Sequence, residues 1–168
     1  QAEIIQALND IKEKVGNSVI IITHDFGEQK FDMIYSAATI QWIPEEIAFS
    51  KTFDLLKPGG TFLLNCRWTP EELERKLPGE VKRGLAEKQA KLYIIDANTI
   101  ARNLGLGDHA SMVLQAAFFS LADIIPMDEA IGYMKAAAEK TFAKKGDAVV
   151  QMNLAAIDEG VRCVTVVD

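Results

Sequence analysis

The sequence predicts a three-layer α/β domain in which a mostly parallel sheet of about five strands carries helices on both faces. Three observations predict it. Short apolar runs such as Val19 to Ile22 and Thr61 to Leu64 do not alternate with polar residues, as expected of strands buried on both faces. Between them lie amphipathic or alanine-rich stretches that suit helices. With 168 residues and 49% hydrophobic composition, the chain can build one domain over 1–168 with a substantial core.

The elements follow in order. Ala2 to Val15 sets Ile4, Ile5, Leu8, Ile11 and Val15 at helical spacing, and Gly16-Asn17 ends that helix. Val19 to Ile22 and Phe31 to Tyr35 read as the first two strands. Pro44 opens a helix whose apolar side is Ile47, Ala48, Phe53 and Leu56, and Pro58-Gly59-Gly60 shuts it off. Thr61 to Leu64 is the third strand. Thr69-Pro70-Glu71-Glu72 then starts a helix: the hydroxyl caps, the proline sets the first turn, and the acids face the positive end.

The charged stretch from Pro78-Gly79 to Glu87 reads as a connector to a fourth strand, Leu92 to Ile95. Thr99 to Leu104 is a short helical piece broken by "GLGD". Met112 to Ile125 suits a helix buried on most of its surface but is too short for a membrane span. Ala130 to Ala143 and Asp147 to Glu159 are two more helices, the second ended by Gly160, and "VRCVTVV" closes the chain as a fifth strand.

A net charge of -6 and a pI near 5.0 argue against a large nucleic-acid footprint. No apolar run reaches membrane-spanning length and no signal peptide is visible, so a cytoplasmic chain without a membrane partner is expected. Cys66 and Cys163 form neither a CxxC pair nor a disulfide framework, and they read as reduced, part-buried thiols. With His24 and His109 the only histidines, no ligand spacing recommends a metal site.

Candidate ligand contacts come from position. Open α/β sheets form their sites at the carboxyl ends of strands, where Asp25 and Asp96 fall, although each can equally cap a turn. Gly105-Leu106-Gly107, with Asp108, precedes the long apolar helix, a place where backbone amides can meet an anion. It also terminates the helical piece before it. Pro58-Gly59-Gly60 precedes a strand rather than a helix and reads as a plain turn. No catalytic nucleophile is identifiable: His24 and Asp25 are neighbours that would face opposite ways in a strand. Trp42 and Trp68 are core covers or contact anchors.

From about Leu56 to Asp158 the chain resembles the gamma-type domain of the pyruvate or 2-oxoacid:ferredoxin oxidoreductases. The segments that carry the resemblance are "GGTFLLNCRWTPEELERKLP", "KLYIIDANTIARNLGLG", "VLQAAFFSLADIIPMDEAIGYMKAAAEKTFAKKGD" and "VVQMNLAAID". The resemblance implies a Rossmann-like domain packed against thiamine-diphosphate-binding and ferredoxin-like subunits or domains. It also implies service in the CoA-dependent oxidation of a 2-oxoacid, with electrons passing to iron-sulfur clusters. It implies no bound cofactor and no turnover for the chain alone. The sequence departs from the family pattern in lacking a Gly-rich first unit, in "THDFG" with Asp25 where a basic residue is expected, and in "DHAS" at Asp108 to Ser111.

A second segment, "KFDMIYSAATIQWIPEEIAFSKTFDLLKPGGTFLL" from Lys30 to Leu64, is similar to the middle of a class I S-adenosylmethionine-dependent methyltransferase. That resemblance implies S-adenosylmethionine as the ligand and puts a seam between two patterns near 56–65. A recombined or engineered scaffold without activity is the third expectation.

Overall fold

In a computed structural model, the structure describes residues 19–22, 31–36, 56–122 and 125–167. The readings of helices over Ala2 to Val15 and from Pro44, and of His24, Asp25 and Trp42, lie outside these residues. Two compact units divide the chain: Gln1–Ile94 with Thr165–Asp168, and Ile95–Val164.

The first unit is built on strands β1 (Val19–Ile22), β2 (Phe31–Ser36), β3 (Leu56–Asn65), β4 (Lys91–Ile95) and β5 (Thr165–Val167). They lie side by side in that order. β1 pairs antiparallel with β2 from Val19↔Ser36 to Ile22↔Met33, β2 runs parallel to β3, and β4 pairs antiparallel with β5, Leu92 facing Val167.

The expected mostly parallel, Rossmann-like sandwich is therefore corrected. Helix takes far more of the described residues than strand, two of these three pairings are antiparallel, and strand order follows chain order without the reversal of a doubly wound sheet. The reason lies in the connections. Only eight residues separate Ile22 from Phe31, fewer than the dozen or so that a parallel crossover requires. Between β4 and β5 the chain builds a whole helical unit, so no single crossover helix dictates the returning strand's direction.

Pro58-Gly59-Gly60 does not terminate a helix; it lies inside β3. Phe31 pairs with Leu56 and Met33 with Thr61, so five steps of β3 run beside two of β2 and the surplus forms a bulge. Gly59 supplies the positive φ of +73° that this needs. Gly60 is closed in: a Cβ there would sit 2.8 Å from the Leu56 side chain.

After β3, helix α1 (Pro70–Lys76) starts in the expected capping box: the Glu72 amide donates to Thr69 Oγ1 at 3.3 Å and the Thr69 amide to Glu72 Oε2 at 3.0 Å. The stretch read as a connector is instead helix α2 (Gly79–Lys88). Pro78-Gly79 and Gly84 weaken its sequence signal, while Val81 and Leu85, four apart, put one apolar face on the core. Leu73 and Val81 of these helices, with Leu77 just after the first, bury against Phe62, Leu64, Leu92 and Ile94. Each such side chain contributes about 2 kcal/mol on leaving water.

The second unit holds α3 (Ala97–Asn103), α4 (Ser111–Ala122), α5 (Met127–Phe142) and α6 (Asp147–Arg162). Gly160 does not end α6 but lies within it, on the buried stripe Asn153, Ala156, Ile157 and Gly160. A Cβ at Gly160 would fall 2.3 Å from the Val113 carbonyl oxygen, so α4 and α6 touch backbone to backbone there. Ala116, Ala138 and Ile157 form the centre of this core. Among the described residues, no helix is long and apolar enough to cross a membrane.

Candidate functional site

Asp96, at the end of β4, acts as a cap: one carboxylate oxygen accepts from the Thr99 amide at 3.0 Å and holds the first turn of α3. α3 leads directly to the glycine turn. The Gly105 amide donates to the Arg102 carbonyl at 3.0 Å and the Leu106 amide to the Ala101 carbonyl at 2.9 Å, with Gly105 at φ +83°. That pair of bonds is a Schellman motif, in which glycine takes the left-handed position after the helix. The Gly105 and Leu106 amides are thus engaged by the helix end. Met152 lies close by, its Cε 3.3 Å from where a Cβ on Gly105 would be.

Gly107, at φ +60°, has open space where a Cβ would point. Asp108 follows, its Oδ1 accepting from Arg102 Nε at 3.0 Å and Nη2 at 2.7 Å in an exposed ion pair that clasps the turn. Ala110 then lets α4 begin, the Leu114 amide donating to its carbonyl at 3.0 Å. The structure groups Gly105, Gly107 and Asp108 in one turn. Asp96 stands at the other end of α3, about 10 Å away along a helix of this length. The sequence reading missed Arg102 as the partner of Asp108, because their separation of six matches no helical spacing and the contact exists only once Gly105 reverses the chain.

The first unit holds a different feature that the sequence did not announce. A cleft of about 430 Å³ opens between α1, α2, β4 and β5, with Leu77, Leu85, Leu92 and Val167 in its apolar wall and Glu74 and Lys82 at its rim. Its volume falls in the range of small-ligand or side-chain pockets. Trp68 stands near the start of α1 with Lys76 Nζ 5.0 Å from its ring centroid, and it packs against the core, as a cover would.

Cys66 is buried and Cys163 part-buried, and the two are not joined in a disulfide. Cys163 Sγ lies 3.3 Å from Glu159 Oε2, and the same carboxylate pairs with Arg162. Arg162, then the Cys163 thiol, hold the Glu159 carboxyl below the usual carboxylate range. Burial, then the Glu159 carboxylate, push the Cys163 thiol up. An iron-sulfur cluster takes four thiolates as a rule, and this chain has two cysteines, so its residues do not fit one. Among the described residues, no group of three or more His, Cys, Asp or Glu is placed to hold a metal ion.

The model of the pyruvate ferredoxin/flavodoxin oxidoreductase family matches residues 14–163. The pyruvate:ferredoxin oxidoreductase of Moorella thermoacetica is 41% identical over 144 residues, 83% of this chain and 12% of that protein. The pyruvate-flavodoxin oxidoreductase of Klebsiella pneumoniae is 40% identical over 159 residues, 92% of this chain and 14% of that protein. The chain therefore spans only about a seventh or less of these curated relatives. Among solved structures, the pyruvate oxidoreductase subunit PORC of Thermotoga maritima shares the fold, with a TM-score of 0.61 and 16% identity over 99% of this chain and 90% of that one.

Proposed function

This chain belongs to the pyruvate ferredoxin/flavodoxin oxidoreductase family, and on that premise we propose that it is the gamma-type domain or subunit of a CoA-dependent pyruvate or 2-oxoacid oxidoreductase, without turnover of its own. One observation carries the reading. The chain matches a small part of long oxidoreductase polypeptides at 40% identity or more, and its fold covers nearly all of a chain named as one subunit of a pyruvate oxidoreductase. A piece that occurs within a long chain and has the fold of a separate subunit behaves as a module of an assembly.

In this reading thiamine diphosphate and the iron-sulfur clusters belong to the thiamine-diphosphate-binding and ferredoxin-like parts of the complete enzyme. The absence of a four-thiolate set in this chain supports that division. The module contributes interdomain packing and shapes a path for substrate or CoA. The turn at Gly105, Gly107 and Asp108 is its proposed ligand-side edge, with Arg102 as the cation that an anionic group would draw from Asp108. Asp96 acts there through the cap that sets α3.

CoA-dependent pyruvate oxidation, followed by reduction of a dye acceptor, tests the reading in an enzyme reconstituted with and without this chain. Omission should abolish turnover. Turnover at the same rate without the chain rejects the assignment.

A further inference from the structure

The order of strands ends at β5, and among the described residues no strand pairs with its outer side. That edge reads Thr165-Val166-Val167, β-branched throughout and without lysine or proline, and its three residues offer an added strand only a short ladder. Val166 is 46% exposed. Val167 lines the cleft beside Leu77, Leu85 and Leu92. Because side chains alternate along a strand, residues of an added strand that share the face of Val167 would lie over that cleft.

These features define the occupant. An open ladder edge accepts an extended backbone, since only an extended chain can continue its hydrogen-bond spacing. The apolar wall calls for an apolar side chain, and the opposite charges of Glu74 and Lys82 at the rim suit polar residues on either side of it. For its source we take the rest of the enzyme: this chain spans 12% and 14% of the two oxidoreductases compared above, so most of such a polypeptide lies outside it.

We propose that β5 is an assembly edge: an extended segment from the remainder of the oxidoreductase pairs with Thr165–Val167 and seats one apolar side chain in the adjoining cleft. The proposal rests on the module reading above and names the surface through which the module is held.

The test uses the complete oxidoreductase containing this chain, as wild type and with Val166→Lys or Val166→Thr. Hydrogen exchange at the Thr165 to Val167 amides should slow when the enzyme assembles. Val166→Thr should assemble as wild type, whereas Val166→Lys should weaken assembly by roughly ten-fold or more, because a lysine on an edge strand opposes its pairing with another strand. Exchange at β5 unchanged by assembly overturns the proposal whatever the variants do. If activity then still depends on the chain, the module reading stands; if activity is indifferent to the chain, both fall.

Discussion

Glu159 receives the Arg162 guanidinium and the Cys163 thiol on one carboxylate, which adds to burial in raising the thiol. Its own lowered pKa gives a contribution to stability that is complete above the ordinary carboxylate range and is lost as pH falls through the lowered value. For Cys163 the sign is opposite. The raised thiol favours the folded state below the ordinary thiol range, and that advantage is lost as pH rises through the raised value. Cys163 should therefore react slowly with iodoacetamide at neutral pH, and Glu159→Gln should speed the reaction by removing the adjacent negative charge. An unchanged alkylation rate would show that burial alone governs the thiol. Gly160 makes the second residue-scale prediction. With the Val113 carbonyl 2.3 Å from a new Cβ, Gly160→Ala must push α4 and α6 apart and should cost about 1–3 kcal/mol, read as a lower Tm. Asp96 was legible at this scale as a turn-capping acid; the Arg102–Asp108 clasp was not, because it is made by a chain reversal.

At the scale of elements, what could be read depended on whether the signal was local. The capping box at Thr69 to Glu72 depends on residues three apart, so the sequence showed it and the structure has it. The helices from Ser111 to Arg162 were read nearly in full, because one long apolar run and two alanine-rich amphipathic stretches carry their signal in local propensity and spacing. α2 was missed where its glycines masked the spacing of Val81 and Leu85, and "LKPGG" was misread because a helix stop and a strand bulge use the same residues. A strand beside it decides between them: β2 pairs with Leu56 before the turn residues and with Thr61 to Leu64 after them, so Lys57 to Gly60 are carried as a bulge within one strand. Gly132 offers an element-scale test. It lies exposed within α5 with nothing within 4 Å of a new Cβ, so Gly132→Ala should stabilise by about 0.5–1 kcal/mol, seen as a raised Tm. A lower Tm would mean that the position is packed against something.

At the scale of the molecule, one family spans residues 14–163, including the Lys30 to Leu64 segment and the seam expected near 56–65. A single oxidoreductase pattern thus covers the stretch that looked like a methyltransferase. Calorimetry with millimolar S-adenosylmethionine should accordingly show no heat of binding; a saturable heat would restore the methyl-donor reading. The sequence by itself determined the helices and strands that local spacing and capping specify, the acidic balance of the chain, and a resemblance whose family membership the matches bear out. Only the tertiary structure decided that the sheet is mixed rather than mostly parallel, that Gly160 is a contact between helices rather than a stop, and that Asp108 faces Arg102. The physical reason is common to all three. Strand direction, helix approach and ion pairing across a turn depend on groups far apart in the chain, and a linear pattern records only what each residue does with its near neighbours.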